Sequence, residues 1–339
     1  MDKVDVLVVG AGIAGLMASH ILAENGLNVT MVDKGRSVGG RLATRRVGAG
    51  LADHGAQFFT VRTPAFRSWV DRWVADGLVY EWTTGFSDGS IGLEGFDGHP
   101  RYAVHGGMNA LAKYLAAQLK DRVQIDTDIK LTSLSLNGDI WEAQAENGAA
   151  YKSRGLLLTP PVPQSLTLLT AGNIHLMMGD KAALERIAYA PCVAGLFRIE
   201  GTVDLPEPGA LQRPDEAISW IADNHRKGIS PNERVITVHA GSAYSHQLWD
   251  MPEPEALALL HHALEAFLAP GSSIVEGQLK RWRYALPTSL HPERYLLATQ
   301  LPPLVFAGDA FGTARVEGAV LSGLLAGEVL AEKLMPSES

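Results

Sequence analysis

Val4-Asp5-Val6-Leu7-Val8-Val9-Gly10-Ala11-Gly12-Ile13-Ala14-Gly15 is the stretch that decides the fold. Its first six residues form a short, mostly apolar run of the kind that makes a strand buried on both faces. Ile13, Leu16, Met17, Ile21 and Leu22 then recur at helical spacing until Asn25-Gly26 ends the helix. A second run, Val29-Thr30-Met31-Val32, finishes at Asp33. Strand, glycine turn, helix, strand and acid follow in the order of a dinucleotide-binding βαβ unit. Gly10 suits the tight turn, Gly12 lets backbone approach a pyrophosphate, and Gly15 lets the helix pack closely on the strand. Ala11, Ile13 and Ala14 fill out the turn and open the helix, whose unpaired N–H groups carry a partial positive charge toward phosphate. Asp33, 18 residues beyond Gly15, stands where a carboxylate accepts hydrogen bonds from adenosine ribose hydroxyls.

The rest of the chain is compatible with an ordinary globular enzyme. At 339 residues it has room for one large or two interleaved domains. The formal net charge of -8 argues against a general nucleic-acid binder, which needs a basic face. Cys192 is the one cysteine, so an internal disulfide framework, a Cys-x-x-Cys redox pair and a cysteine zinc site are excluded. No stretch approaches the roughly 20 apolar residues of a membrane span, and residues 1–9 do not read as a secretory signal. A soluble cytoplasmic protein is the expectation. His261-His262 reads as a pair of ordinary helix residues, and no metal site is expected.

Asp33-Lys34-Gly35-Arg36-Ser37-Val38-Gly39-Gly40-Arg41 resembles the extension after the second strand in FAD enzymes of the amine oxidase and glutathione reductase superfamily. The resemblance implies that Lys34, Gly40 and Arg41 join Asp33 in holding FAD, the Gly-Gly pair letting the loop cross the pyrophosphate. Near the other end, Leu304-Val305-Phe306-Ala307-Gly308-Asp309 is similar to the same superfamily's C-terminal FAD motif. There the aspartate binds ribitol hydroxyls, and the following helix, with Gly318 and Val320 near its start, aims a positive dipole at the flavin pyrimidine. A backbone contact to adenine is implied near Ile129. Cys192 lies far from any tethering motif, so non-covalent FAD is expected.

The implied fold class is α/β: a Rossmann-like FAD-binding domain of the two-dinucleotide-binding type with an inserted mixed α+β substrate domain. The expected boundaries are 1–62, 105–160 and 300–339 for the discontinuous FAD-binding domain, and 63–104 with 161–299 for the substrate domain. Asn137-Gly138 predicts a hairpin between two strands. Thr63-Pro64 predicts a helix start. Runs at 193–199, 218–222, 235–240 and 274–282 predict strands of one antiparallel sheet.

Asp53-His54-Gly55-Ala56-Gln57-Phe58-Phe59 looks like a stretch found in the renalase branch of the amine oxidase superfamily. Weaker likeness continues at Asp223-Asn224, at Val238-His239 and at Lys280-Arg281-Trp282-Arg283-Tyr284. The loop with His54, Ala56, Gln57 and Phe58 is then expected to line the isoalloxazine. Gln57, Asn224, His239, Trp282 and Tyr284 are the candidates for the substrate pocket: amide and imidazole groups can bind a carboxamide, and aromatic rings can wall a flat ring. The resemblance implies hydride removal from 1,2- or 1,6-dihydro isomers of NAD(P)H, with dioxygen reduced to hydrogen peroxide. That reaction needs no catalytic acid or base from the protein, because the donor becomes aromatic as hydride leaves for flavin N5. An amine oxidase or desaturase-like dehydrogenase, and a non-catalytic FAD- or nucleotide-sensing protein, stay open as alternatives.

Overall fold

The chain, described over residues 3–89 and 96–335 of a computed structural model, passes four times between two units. Unit 1 holds Met1–Gly40, Ala112–Ala188 and Pro287–Ser339; unit 2 holds Arg41–Leu111 and Tyr189–Leu286. In chain order the elements begin with β1 (Val4–Val9), α1 (Ile13–Glu24), β2 (Val29–Val32), β3 (Thr44–Val47) and β4 (Gly50–Asp53). Next come α2 (Pro64–Ala75), β5 (Val79–Gly85), β6 (Phe96–Val104), α3 (Asn109–Leu119), β7 (Val123–Asp126), β8 (Leu131–Asn137) and β9 (Ile140–Ala145). β10 (Ala150–Leu158), α4 (Val162–Ala171), α5 (Met178–Glu185), β11 (Ala188–Glu200), β12 (Ala210–Gln212) and β13 (Ile218–Asp223) follow. The chain continues through β14 (Val235–Ala240), α6 (Ser242–Leu248), α7 (Glu253–Glu265) and β15 (Ser273–Ser289). It ends on β16 (Leu296–Leu297), β17 (Leu304–Phe306) and α8 (Val316–Leu334).

Unit 1 is built on a sheet of order β16-β17-β10-β1-β2-β7, to which β9 and β8 are added beside β10. The five strands from β17 to β7 run parallel. β1 leads through α1 to β2 on one side and has β10 on the other, so the strand order reverses beside β1, as at the ligand-binding crevice of doubly wound folds. β10 is longer than its apolar tail implies: Ala150–Ser153 pairs with β9 antiparallel, and Ser153–Leu158 then pairs with β1. α1 and α8 cross at backbone contact. A Cβ on Gly323 would stand 2.2 Å from the Ala14 carbonyl oxygen, so only glycine permits this approach.

Unit 2 centres on the antiparallel sheet β12-β13-β14-β11-β15, and all four predicted strands lie in it. Ala256, Leu260 and Leu264 of α7 join Phe197, Ile236 and Val238 in its core, each of these side chains larger than alanine contributing about 1.5–3 kcal/mol by leaving water. α2 starts as predicted, with Thr63 Oγ1 accepting from the Phe66 N–H at 3.3 Å. It carries Phe66 and Trp73 against Phe59.

The unit boundaries differ from the expected domains. Residues 41–62 and 105–111 fall in unit 2, because the β3–β4 hairpin packs Val47 and Ala52 onto Leu196 and Val235. Residues 161–188 and 287–299 fall in unit 1. α4 packs so tightly there that a Gly172 Cβ would stand 1.7 Å from the Leu134 carbonyl oxygen, and β16 pairs with β17.

Candidate functional site

In unit 1 the glycine turn has the backbone geometry its spacing implies. Gly10 sits at φ +100°, and a Cβ there would be 2.4 Å from Thr159 Oγ1. A Cβ on Gly15 would be 2.1 Å from the Gly10 carbonyl oxygen, whereas one on Gly12 would meet nothing within 4 Å. The chain is thus pinned on both sides of Gly12 and open at Gly12 itself. The first intrahelical bond of α1 runs from the Leu16 N–H to the Gly12 carbonyl, leaving the N–H groups of the first turn for an anion. Gly39 lies over this turn: its N–H donates to the Ala11 carbonyl at 2.8 Å, and a Cβ on Gly40 would be 3.6 Å from the Gly12 Cα.

Asp33 braces the same turn. Its Oδ2 accepts from the Ala11 N–H at 2.7 Å and its Oδ1 from the Gly35 N–H at 2.6 Å. Lone pairs remain on both oxygens for ribose hydroxyls. The Ile129 N–H donates to the Asp33 carbonyl at 2.9 Å, which brings the expected adenine contact beside the expected ribose contact. Lys34 bonds to Gln164 at 3.0 Å on the exposed surface. On the far side of the sheet order, the Gly308 N–H donates to Ser322 Oγ at 2.8 Å, tying the strand end of β17 to α8. The Ala319 N–H is the first to bond within α8, to the Arg315 carbonyl, so the N–H groups of Val316, Glu317 and Gly318 precede the helical ladder. Ala11 and Val320 have no exposed surface. These two expected cofactor contacts are packing positions, held inside the turn and against the sheet.

Unit 2 contains a buried polar network that begins at Asp53, the last residue of β4. Asp53 and Lys227 are both without exposed surface, and Lys227 Nζ donates to Asp53 Oδ2 at 2.6 Å. Thr44 Oγ1 and the Met108 N–H donate to the other carboxylate oxygen at 2.5 and 2.8 Å. Lys227 also donates to the Gln57 carbonyl and lies 5.1 Å from the Trp82 ring centre. Its own carbonyl accepts the Tyr80 hydroxyl, whose pKa is pushed up by burial and then by the Asp53 charge.

Two predicted substrate residues belong to this network rather than to an open pocket. Asn224 is fully buried, donates to the Val235 carbonyl and Thr237 Oγ1 at 2.9 Å each, and accepts from the Asp53 N–H at 3.3 Å. Its amide is committed to the scaffold, and this corrects its assignment. Gln57 donates to the Asp53 and Gly55 carbonyls at 2.8 and 3.1 Å and accepts from Trp220 Nε1 at 3.1 Å. It fixes the loop that carries it. Phe58 packs against Phe86 and Trp220 at 4.9 and 5.6 Å between ring centres. Ala56 donates its N–H to the Arg41 carbonyl at 2.8 Å, and Arg41 Nη1 donates to the Tyr284 carbonyl at 3.3 Å.

Of the remaining predicted residues, Trp282, His239 and Tyr284 are partly exposed and His54 is buried. The His54 ring stacks on Trp282 with centres 5.3 Å apart and planes inclined 23°, and Trp282 Nε1 donates to the His54 carbonyl at 2.8 Å. His54 Nδ1 is buried with no hydrogen-bond partner among the described residues. Burial pushes the His54 imidazole down to about 4, helped by the charges of Lys280 and then Arg45. Burial pushes half-buried His239 down to about 3, with smaller contributions from His54 and Lys227. Both rings are neutral at physiological pH. His239 Nε2 lies 3.5 Å from Gln57 Nε2, and Tyr284 packs edge-on to Tyr189 at 5.4 Å.

Sequence reasoning missed Lys227, and Asp53 entered only as part of a motif. A lysine in a turn after Asp223-Asn224 looks like a solvated surface residue. Its burial follows from a partner 174 positions away, which no local pattern reveals.

Residues 8–73 match the NAD(P)-binding Rossmann-like domain, and residues 80–331 match the family described as flavin containing amine oxidoreductase. The chain belongs to that family. Its cofactor is FAD, and the open Gly12 turn, the N-terminus of α1 and the Asp33 carboxylate suit the pyrophosphate and ribose of such a dinucleotide. The chain is 25% identical to "Renalase" of Mus musculus over 96% of this chain and 98% of that one. Among solved structures, the cyclohexylamine oxidase of Brevibacterium oxydans IH-35A superposes with a TM-score of 0.71 at 13% identity, covering 98% of this chain and 100% of that one. A putrescine oxidase with bound putrescine gives 0.69 at 15% identity, covering 97% and 99%. These structural likenesses describe a shared fold. The chain is an α/β flavoprotein oxidoreductase.

Proposed function

We propose that this flavoprotein oxidises the 1,2- or 1,6-dihydro isomers of NAD(P)H to NAD(P)+, with dioxygen reduced to hydrogen peroxide. Non-covalently bound FAD would supply the hydride acceptor and the route of the electron pair to dioxygen. The observation that carries the reading is the uncharged, stacked His54–Trp282 pair with neutral His239 in the same unit. A dihydropyridine becomes an aromatic pyridinium as its hydride departs, so the protein must hold a flat ring and need not remove a proton. The indole face of Trp282 also favours the positive charge that develops on that ring. His54 Nδ1, buried and unpaired, can serve a carboxamide as donor or acceptor according to its tautomer. Similarity to mouse renalase along nearly the whole chain supports the same reading.

The second reading, amine oxidation, draws support from the family itself. Against a cationic amine stand Lys280 and Arg45, whose charges act on His54. The test is anaerobic mixing of FAD-loaded protein with borohydride-reduced NAD+, a mixture of dihydro isomers, beside NADH and a panel of amines. Rapid bleaching of the flavin band by the isomer mixture alone is the expected result. Bleaching by amines and not by the isomers would overturn the proposed substrate and establish the second reading.

A further inference from the structure

The alternation of a strand places Gln278, Lys280, Trp282 and Tyr284 on one face of β15. On the opposite face Leu279 is in the core, and Arg281 donates to the Met251 carbonyl at 2.6 Å. The first face carries Lys280 toward one end, where Arg45 of another strand bonds to Gln278, and aromatic rings toward the other. Arg45 of β3 donates from Nε to Gln278 Oε1 at 2.9 Å. Lys280 stands two residues on, about 7 Å along the strand at roughly 3.3 Å per residue. Trp282, another two residues on, is the ring stacked on His54.

Among the described residues the Lys280 ammonium makes no hydrogen bond or ion pair, and Arg45 bonds to the neutral amide of Gln278. Glu276 pairs with Arg198 at 3.4 Å, and Glu253 acts on Lys280 only through its field. Burial, and then the Arg45 charge, push the half-buried Lys280 ammonium down from the usual lysine range, while Glu253 pushes it up. Lys280 is half-buried and Arg45 exposed, so solvent screens much of their mutual repulsion. An anion accepting from both would still gain charge-assisted hydrogen bonds.

We infer that Lys280 and Arg45 form a phosphate-binding subsite for the nucleotide portion of the substrate, one strand step from the His54–Trp282 rings. The inference rests on the dihydronicotinamide reading and extends it: these cations select a pyridine ring that carries phosphate over one that does not. Lys280 and Arg45 touch no reacting atom. They are binding residues, and their loss acts on affinity rather than on the limiting rate of hydride transfer.

The experiment is calorimetric titration of the FAD-loaded protein with ADP-ribose, adenosine and inorganic pyrophosphate. ADP-ribose is expected to bind wild-type protein and to bind Lys280→Gln and Arg45→Gln each about ten-fold more weakly, the scale of one charge-assisted contact. Lys280→Arg is expected to stay within about two-fold of wild type, and adenosine binding to be indifferent to all three changes. Absence of ADP-ribose binding, or equal binding by wild type and Lys280→Gln, would overturn the subsite. So would loss of bound FAD in the variants, which would give the cations to the cofactor. Pyrophosphate binding as tightly as ADP-ribose would mark a free-anion site and overturn the nucleotide assignment. Failure of the dihydro isomers to bleach the flavin, with charge-dependent ADP-ribose binding intact, would instead remove the proposed reaction and leave the subsite standing.

Discussion

Replacing Lys227 by methionine keeps the volume of the side chain and removes its charge, leaving the Asp53 carboxyl group buried without its cationic partner. The pair is direct, at 2.6 Å, and neither partner reaches solvent. Breaking a buried ion pair by deleting one member costs about 3–5 kcal/mol, because the remaining charge loses its compensation. Here Thr44 Oγ1 and the Met108 N–H still donate to the carboxylate, so the low end of that range applies. At about 2–4 °C per kcal/mol for a unit of this size, the midpoint should fall by roughly 6–12 °C. The assay is thermal unfolding of FAD-loaded protein at pH 7, followed by far-ultraviolet circular dichroism. The double variant Lys227→Met with Asp53→Asn removes both charges and should recover at least half of the loss. The difference should also persist in about 1 M salt, since a buried pair is screened little. A single variant within about 2 °C of wild type, or a double variant as unstable as the sum of the singles, would refute the reasoning.

Gly10→Ala places a Cβ against Thr159 Oγ1 at a φ of +100°. The purified protein should carry under about a tenth of the wild-type flavin, and a normal absorbance ratio at 450 and 280 nm would count against the turn's role. Asn224→Ala should cost about 1–3 kcal/mol of stability by leaving buried partners unpaired, without a selective loss of substrate affinity. Chemical denaturation and anaerobic flavin-reduction titrations separate the two effects. Stability should fall in acid because of His54 and His239, whose folded-state values near 4 and 3 lie below the ordinary 6.5. The unfolded chain binds protons that the folded chain refuses, so the contribution is whole above pH 6.5 and lost as pH falls toward 4 and then 3. Midpoints measured from pH 8 to 4.5 should show this slope, flattened in His54→Gln; an unchanged slope would place the proton uptake elsewhere.

The dinucleotide fold was legible because its signals are local. Val4–Val9, the three glycines and Asp33 lie within 30 residues, and each answers to a constraint of backbone geometry or helix polarity that one sequence can display. The strands of unit 2 were legible for the same reason, since alternation and apolar runs are read in windows of six residues. Its boundaries were not. The β3–β4 hairpin joins unit 2 through Val47 and Ala52 packing on Leu196 and Val235, a match between segments well over a hundred residues apart. Nothing in Thr44–Asp53 itself announces which sheet it will cover.

The residues that carried the renalase-like resemblance separate into two kinds once they are placed. Asp53, Gln57 and Asn224 bond chiefly to one another and to backbone. Their shared presence therefore reports a shared way of holding the loop after β4, and a scaffold of that kind can serve more than one substrate. His54, His239, Trp282 and Tyr284 supply rings, and Lys280, unremarked within the same motif, makes no ion pair among the described residues. Substrate choice has to be argued from this second set. Neutral rings beside unpaired cations are poorly matched to an ammonium and well matched to a flat ring that bears an anion at a distance. That contrast, rather than the likeness of the scaffold, is what favours the proposed nucleotide oxidation over amine oxidation.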